Sequence, residues 1–346
     1  MGFTTKETEN FRSLVAQTKK PLFLFDDDAD GTTSFTLLYH VIGEGRGLPV
    51  KNGPEVDEQY IRKVRDYNPD MVFILDKPRV SKEFLEEITV PIVWLDHHEP
   101  QNPEQNHVHY FNPRNNDDND ARPTSYWTYH LIGKPEDVWI AMVGVVADWH
   151  TPDFIDECKK RYPLLVPEDT TEFKNLYLHP PLNLLVNLMT FMQKGTVRES
   201  LQTIKVFTRI QDPNEILEQT TPQGKYLYKK QDRFIKRFKQ LKEEANKTVD
   251  EHALIFIYEA TTSFTKELSN ELLLENPGRA IIVGRRSEGR IKASLRGAHI
   301  DVHTMQQQAI EGLDGYGGGH THACGMSLNE EDWDEFVRRY KEQLRE

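Results

Sequence analysis

The chain has 346 residues, enough for two domains that each bury a core of their own. Acidic residues outnumber basic ones by 55 to 43, and the formal net charge of −12 argues against a surface that grips long duplex DNA on all sides. The two cysteines, Cys158 and Cys324, exclude a disulfide framework. The sequence also shows no signal-peptide pattern and no apolar run long enough to span a bilayer. Together these observations predict a cytoplasmic protein without a membrane partner.

The first third of the chain alternates short apolar runs with helical stretches. The apolar runs cover residues 22–25, 71–75 and 92–95, and helices are predicted over 34–42 and 55–67. Apolar runs without polar alternation are typical of strands that are buried on both faces of a parallel sheet. The order of strands and helices therefore predicts an α/β fold with a parallel sheet in the N-terminal domain.

Each of these apolar runs ends in aspartate. Asp26 and Asp28 follow the first run, Asp76 the second and Asp96 the third. In an open parallel sheet, ligands bind beyond the carboxyl ends of the strands, so these carboxylates are expected at one edge of the sheet. Such a cluster repels itself unless it is neutralised, and divalent cations are the obvious neutralising partners.

The first acidic motif is the run D-D-D-A-D-G-T at 26–32. Closely spaced carboxylates at the end of a strand suit a divalent metal, and Gly31 allows a tight turn beside the metal or a phosphate. The same stretch also resembles the haloacid-dehalogenase phosphatases, in which the first aspartate is a nucleophile. An acidic turn that caps the next helix is the structural alternative.

The second motif is Asp96, His97 and His98, at the end of the third apolar run. Imidazoles added to carboxylates favour manganese or later metals over a pure magnesium site, whereas a pair of surface histidines is the alternative interpretation. Further along, Asp148 ends an apolar helix predicted over 136–147. Negative charge at that end opposes the helix dipole, so a positive partner such as a metal is expected there.

The middle of the chain is predicted to be mostly helical. A polar, turn-rich and mobile loop is predicted over 112–123, and helices over 168–210 with a break at 179–181. One long helix is predicted over 224–248, and its many lysines and arginines form either a solvated face or a flank that faces nucleic acid. Its apolar face consists of Leu227, Phe234, Phe238, Leu241 and Ala245.

A second, smaller α/β domain is predicted from residue 250 onward. Strands are expected over 253–257, 280–283 and 290–296, followed by a glycine-rich turn and a terminal helix over 330–344.

The glycine-rich turn contains a candidate phosphate-binding set, Gly317, Gly318, Gly319 and His320. Consecutive glycines expose backbone N–H groups that can hold a phosphate, and the imidazole of His320 can donate to a phosphate oxygen. Arg296 is a guanidinium candidate for the same phosphate, or else it forms an ordinary salt bridge. A flexible turn is the simpler alternative, and a zinc site with His322 and Cys324 lacks a fourth ligand.

These features, in this order, resemble the DHH phosphoesterase superfamily, and the C-terminal part resembles the type 1 DHH-associated domain. The resemblance covers roughly 20–150 and 250–330, whereas the haloacid-dehalogenase interpretation explains only the first motif. It implies a DHH catalytic domain over 1–200 with a helical extension to about 222, a connector helix over 223–249 and a substrate-binding domain over 250–346.

The resemblance also implies a site with two divalent metal ions, Mn²⁺ preferred and Mg²⁺ as the alternative. The implied metal ligands are Asp26, Asp28, Asp30, Asp76, Asp96, His97 and Asp148. His98 would lie beside the metals and interact with the scissile phosphate, so that His98, Asp96 and Asp28 carry catalysis. The implied substrate-binding residues are Arg296, Gly317, Gly318, Gly319 and His320.

Within the superfamily, the first motif is more similar to the RecJ-type nucleases. Other branches carry a histidine four residues before the aspartate that matches Asp28, and here that position is Leu24, which suggests that Asp26 or water takes its place. The implied function is an exonuclease that hydrolyses single-stranded DNA or RNA from an end by a two-metal mechanism. The alternatives are a nano-RNase or small-nucleotide phosphatase, and a replisome scaffold that binds GINS-like or repair partners; a homodimer is compatible with each.

Overall fold

The computed structural model describes residues 2–51, 53–192 and 194–345. The chain divides into two compact units, Met1–Gln231 and Asp232–Glu346. The division falls within the long helix that the sequence predicts over 224–248. None of the helices in the described part of the chain is both long and apolar enough to cross a membrane.

The first unit is built on a parallel sheet. Its strands are β1 (Pro21–Asp26), β2 (Arg46–Val50), β3 (Glu55–Val56), β4 (Met71–Leu75), β5 (Arg79–Val80), β6 (Ile92–Leu95) and β7 (Val108–Phe111). Five of them form one sheet in the order β2-β1-β4-β6-β7, and β3 pairs with β5 in a separate parallel ribbon. Phe25 lies opposite Leu75, and Leu75 lies opposite Leu95, so β1, β4 and β6 end side by side.

The three predicted apolar runs lie in strands β1, β4 and β6, and every residue of the runs 22–25, 71–75 and 92–95 is buried. On one sheet face, Phe25 stacks on Phe35 with ring centroids 4.7 Å apart, and Phe23 meets Phe35 edge to face at 5.1 Å. On the other face, Leu24 and Ile74 belong to a separate apolar cluster. Burial on both faces is why these strands carry no polar alternation.

The helices of the first unit pack around this sheet. They are α1 (Thr5–Gln17), α2 (Ala29–Ile42), α3 (Gln59–Tyr67), α4 (Lys82–Glu87), α5 (Thr124–Ile132), α6 (Val138–Ala147), α7 (Ile155–Arg161), α8 (Phe173–Tyr177), α9 (Pro180–Met192), α10 (Val197–Phe207) and α11 (Asn214–Leu217). The helix α12 (Pro222–Asn246) spans the division between the units.

Several predicted helix boundaries were wrong. The helix predicted over 55–67 begins only at Gln59, because Glu55–Val56 pairs with Arg79–Val80 as a strand. The helix predicted from residue 34 begins earlier, at Ala29, where the Asp28 side chain caps it. The break predicted at 179–181 is present, since α8 ends at Tyr177 and α9 begins at Pro180, where proline is tolerated in a first turn that needs no N–H partner.

The polar stretch over 112–123, predicted as a mobile loop, is partly buried and held by hydrogen bonds. It begins with a 3-10 turn, Pro113–Asn115, and the Asn112 and Asp120 side chains are buried. The Asn112 amide donates to the backbone oxygen of His98 and to the Tyr110 hydroxyl, both at 2.9 Å.

The long helix α12 agrees with the prediction, and every residue of its predicted apolar face is buried. Part of its basic charge is paired with carboxylates. The Lys242 ammonium lies 2.6 Å from Glu271 and 2.7 Å from Glu275, and Lys236 lies 2.7 Å from Asp232. These pairs offset part of the positive charge of this helix.

The second unit contains a mixed sheet in the order β11-β12-β10-β9-β8. Its strands are β8 (Ala253–Glu259), β9 (Ala280–Ser287), β10 (Arg290–Arg296), β11 (Gly315–His320) and β12 (Ala323–Asn329), and its helices are α13 (Thr265–Glu275), α14 (Val302–Ile310) and α15 (Trp333–Gln343). Strands β8 and β9 are parallel, and the other pairs are antiparallel. The sequence predicted β8, β9, β10 and α15, but not α13 or α14.

The predicted glycine-rich turn is instead the edge strand β11, and this prediction was wrong. Gly315–His320 pairs with β12 along its whole length. The error has a physical cause, since glycine lacks the side chain on which strand patterns depend. At Gly317, a Cβ atom would lie 2.2 Å from the end of the Gln306 side chain and 2.9 Å from the Gly325 backbone oxygen, so a larger residue there would have to displace both.

Candidate metal centre

The loop between β1 and α2 carries three aspartates to the carboxyl edge of the sheet. Asp26 ends β1, Asp28 caps α2 by accepting from the Gly31 N–H at 3.1 Å, and Asp30 lies in the first turn of α2. A Cβ atom on Gly31 would lie 2.5 Å from the Asp26 backbone oxygen. Glycine at this position therefore allows the turn that brings Asp26 and Asp28 together.

Asp30 is buried at the N-terminus of a second helix. Its carboxylate accepts the backbone N–H groups of Thr124 and Ser125, both at 2.8 Å, and these residues begin α5. Two amides with the positive end of the helix dipole stabilise a buried negative charge. Burial and the neighbouring Asp76 nevertheless raise the pKa of Asp30 to about 8.

Asp76 follows β4 and is 2% exposed. Its backbone has a left-handed φ of 57°, a rare conformation for a residue with a side chain, and its N–H donates to the Leu95 oxygen at 2.9 Å. The Asp76 carboxylate accepts the Thr124 hydroxyl at 3.2 Å. Burial and the nearby Asp28 raise the pKa of Asp76 to about 7.

The His97 imidazole lies among these carboxylates. Its Nε2 atom lies 3.4 Å from an Asp76 oxygen and 3.8 Å from an Asp148 oxygen, while Nδ1 lies 3.2 Å from the Ala121 carbonyl oxygen. With Nδ1–H donated to that carbonyl, Nε2 is the nitrogen that faces the carboxylates, and on loss of its proton it would offer a lone pair to a metal. Burial lowers the pKa of His97, but the contact with Asp76 outweighs it and leaves the pKa well above its usual value.

Three groups of side chains among the described residues place their ligand atoms within 4.8 Å of one another. They are Asp76, His97 and His98; Asp30, His97 and Asp148; and Asp26, Asp28 and Asp76. Asp76 and His97 each belong to two groups, so the groups adjoin. Carboxylate oxygens with imidazole nitrogen are a donor set that divalent cations bind, and the raised pKa values report a repulsion among the carboxylates that a cation would offset. These residues therefore fit such ions.

Asp96 lies outside these three groups, although the sequence resemblance implied that it is a metal ligand. It is fully buried, and its carboxylate accepts the His98 backbone N–H at 3.0 Å and lies 2.8 Å from His98 Nδ1. Asn112 approaches the same carboxylate at 3.5 Å. Asp96 therefore orients His98, whose side chain stays 41% exposed.

A buried lysine, missed by the sequence analysis, also belongs to the site. The Lys77 side chain is 1% exposed, and its ammonium donates to an Asp26 oxygen at 2.6 Å and to the Gly53 backbone oxygen at 2.8 Å. Despite this ion pair, burial and Asp28 raise the pKa of Asp26 to about 6. A lysine directly after the predicted ligand Asp76 was the signal available in the sequence.

The predicted substrate-binding residues lie in the second unit. Arg296 ends β10 and His320 ends β11, and both are paired with Ala323 on the strand between them. The Arg296 guanidinium donates to Asn270 at 2.8 Å, and burial lowers its pKa. Gly317, Gly318 and Gly319 lie on the edge strand β11.

The alternative zinc set of His320, His322 and Cys324 forms no group of ligand atoms within 4.8 Å among the residues that the structure covers. Cys324 is buried and its thiol lies 3.6 Å from the Val302 backbone oxygen, while His322 Nδ1 lies 3.1 Å from the Ile300 oxygen. These backbone contacts occupy both side chains.

Comparisons with protein families match both units of the chain. Residues 22–147 match the DHH family, N-terminal domain, and residues 253–346 match the DHHA1 domain. No curated protein sequence matches the chain.

Solved structures are similar along nearly the whole chain. RecJ in complex with Mn²⁺ from Thermus thermophilus has a TM-score of 0.63 and 16% identity, covering 98% of this chain but 54% of that one. The exonuclease RecJ bound to manganese has a TM-score of 0.55 and 17% identity, covering 98% of this chain and 93% of that one. PggH from a Vibrio species, a pGpG-specific phosphodiesterase, has a TM-score of 0.54 and 14% identity, covering 94% of this chain and 99% of that one. At these identities the similarity establishes the fold.

Proposed function

Because the chain belongs to the DHH phosphoesterase superfamily, with a DHH domain followed by a DHHA1 domain, we propose that it is a metal-dependent exonuclease that hydrolyses single-stranded DNA or RNA from an end. The observation that carries the proposal is the set of adjoining ligand groups at the carboxyl edge of the first sheet. Within the chain, we assign catalysis to residues 1–200 with an extension to about 222, a connecting role to 223–249 and substrate binding to 250–346.

We further propose that the centre holds two divalent ions, with Mn²⁺ preferred over Mg²⁺. The residues that would hold them are Asp26, Asp28, Asp30, Asp76, His97 and Asp148. Bound ions of this kind supply Lewis acidity that activates water and offsets the negative charge of a phosphodiester. Structures of RecJ with Mn²⁺ and with Mg²⁺ support the choice of metals.

The protein's own contribution centres on His98. Burial lowers the pKa of His98, but the contact of Nδ1 with Asp96 outweighs it and raises that pKa, which favours the doubly protonated ring. In that form Nε2–H can donate a hydrogen bond to a phosphate oxygen, and the side chain is 41% exposed. A donor held in place before the reaction stabilises charge that builds on the phosphate in the transition state. Asp96 is thus a positioning residue for His98 in this proposal, and not a metal ligand.

The second unit supplies candidates for substrate binding. The Arg296 guanidinium and the His320 imidazole lie on strands that flank β12, and both groups can bind a phosphate. The edge strand β11 adds backbone groups at Gly317, Gly318 and Gly319.

A time course on single-stranded DNA and RNA, labelled at the 5′ or the 3′ end and ranging from dinucleotides to 20-mers, tests the proposal. With Mn²⁺, we expect a ladder from one end of the long substrates, which gives polarity and sugar preference. Chelation by EDTA and the Asp30→Asn variant are expected to abolish hydrolysis, and Asp66→Asn, an exposed aspartate on α3, is the matched control. Metal-loaded protein that cleaves none of these substrates would contradict the proposal and favour a scaffold for replication or repair partners such as GINS.

A second candidate is a phosphodiesterase specific for very short or small nucleotides. Its support is the similarity to PggH, a pGpG-specific phosphodiesterase, together with the net charge of −12. An acidic protein gains little from the many phosphate contacts of a long strand. Cleavage confined to substrates of two to five nucleotides would favour this candidate.

A further inference from the structure

Trp149 lies next to the metal centre in sequence and packs against two other aromatic side chains, Phe173 and Tyr177. Trp149 directly follows the ligand candidate Asp148 at the end of α6. Its ring centroid is 5.7 Å from that of Phe173 and 5.8 Å from that of Tyr177, and the last two are 5.7 Å apart. Phe173 and Tyr177 both belong to α8, so this helix supports the indole from one side.

Trp149 differs from the other tryptophans in its exposure. It is 36% exposed, whereas Trp94, Trp127, Trp139 and Trp333 are at most 7% exposed. Burying a large aromatic ring stabilises a fold, and here part of the ring remains in contact with water although two other aromatic side chains already hold it. The indole thus presents an apolar surface that its own fold does not cover.

The backbone of Trp149 is also unusual. Its φ is 62°, in the left-handed region that bulky side chains seldom adopt. Such conformations cost free energy and concentrate at functional sites. The Asp148 carboxylate immediately before it lies 3.8 Å from His97 Nε2, which ties this backbone turn to the metal centre.

We propose that Trp149 is a stacking platform for the nucleobase next to the phosphodiester that is cleaved. The inference rests on the proposed function, which places a phosphate at the carboxylates and imidazoles. In a nucleotide, a single sugar separates the base from the phosphate. In this chain, Trp149 is the residue next to the ligand candidate Asp148, so a phosphate at the metal centre would carry a base close to this position. Stacking on an aromatic ring accepts any base, so the platform selects for the presence of a base rather than for its identity.

The test compares a dinucleotide substrate with the same compound lacking one base, for both ends in turn. For the wild-type protein, we expect loss of the stacked base to raise KM by about 5- to 150-fold, the range that base–aromatic stacking produces. The Trp149→Leu variant keeps an apolar side chain but no ring, and it is expected to raise KM for the complete dinucleotide by a similar factor while leaving KM for the abasic one unchanged. Trp149→Phe keeps an aromatic ring and is expected to retain most of the KM difference between the complete and the abasic dinucleotide. Leu164→Ala, at an exposed leucine, is the matched control.

A binding measurement separates this inference from the proposed activity. Because the other tryptophans are buried, a phosphorothioate dinucleotide that resists hydrolysis should quench mainly Trp149, and the quenching should be lost in Trp149→Phe. Equal KM values and equal quenching for complete and abasic compounds, in a wild-type protein that hydrolyses both, would overturn the platform and leave the proposed function intact. A metal-loaded wild-type protein that neither binds nor hydrolyses any nucleotide would overturn both.

Discussion

The ion pair between Lys77 and Asp26 gives the metal centre an internal cation. Asp26 and Asp28 would otherwise bring two negative charges together beside the buried Asp76, and the Lys77 ammonium offsets part of that repulsion. The same contact occupies one oxygen of Asp26. We therefore expect Asp26 to be a weaker metal ligand than Asp76, whose carboxylate contacts the Thr124 hydroxyl and the His97 imidazole.

Replacing Lys77 by methionine should destabilise the metal-free protein at pH 8 by about 3 kcal/mol, the usual cost of leaving one member of a buried ion pair alone. The loss should shrink at pH 5, because Asp26, with a pKa of about 6, is then mostly protonated and needs no counter-ion. Urea denaturation in EDTA at both pH values measures this difference. Lys82→Met, at an exposed ion pair on α4, is the control, and an equal loss at both pH values would contradict the explanation.

Replacing Asp96 by asparagine should lower kcat by about 100-fold, because removing one oriented donor to a transition state typically has an effect of that order. Metal content should not change, since Asp96 contacts His98 and lies outside the ligand groups. Steady-state kinetics and elemental analysis of the same samples measure the two effects. His98→Ala should lower kcat by a similar factor, and the double variant should lower it little further, because the two residues act together. Loss of metal from Asp96→Asn would show that Asp96 is a ligand after all.

At the scale of secondary-structure elements, the site depends on where β1, β4 and β6 end. These strands could be predicted because burial on both faces leaves an uninterrupted apolar run, and an aspartate marks each end. Strand β2 has the sequence R-G-L-P-V and β11 is mostly glycine, so neither shows a strand pattern. Side-chain partners such as Lys77 with Asp26, and Asp96 with His98, could not be predicted, because no local pattern encodes how these side chains approach each other.

The turn between β1 and α2 is the element most sensitive to added volume. Gly31→Ala should destabilise the protein by about 2 kcal/mol and weaken metal binding, because the new methyl group would meet the Asp26 backbone at 2.5 Å and separate the carboxylates. Gly278→Ala is the matched control, since a Cβ atom there has nothing within 4 Å. Urea denaturation and a Mn²⁺ titration of both variants provide the measurement, and unchanged metal affinity in Gly31→Ala would contradict the prediction.

At the scale of the whole molecule, the chain divides within α12, and each unit has its own sheet and apolar core. The chain length predicted two domains, and the helix pattern predicted the long segment that contains the division. The two sets of predicted functional residues fall in different units, with the metal ligands in the first and Arg296 and His320 in the second.

The stability of the whole metal-free protein should depend on pH through its buried carboxyls. Folding raises the pKa of Asp26 to about 6, of Asp76 to about 7 and of Asp30 to about 8, from a usual value of 3.8. A raised pKa means that the folded state holds protons which the unfolded chain has released, so these groups lower the free energy of unfolding as pH rises from about 4 to about 8. Bound cations replace those protons.

Addition of Mn²⁺ should therefore raise the melting temperature more at pH 8 than at pH 5. Melting curves with Mn²⁺ and with EDTA at both pH values test this expectation. In EDTA, Asp30→Asn should reduce the dependence of the melting temperature on pH, and Asp66→Asn should leave that dependence unchanged. A metal effect of equal size at both pH values would contradict the role assigned to the buried carboxyls.

The two backbone N–H groups that donate to Asp30 connect helix α5 to the metal centre. Each of the two Asp30 oxygens receives one N–H from the start of α5, which leaves a lone pair on each oxygen for a cation. The first turn of α5 and the metal centre thus share a carboxylate. Exchange of the Thr124 and Ser125 amide hydrogens for deuterium becomes a local reporter of that carboxylate, readable by mass spectrometry without any substrate.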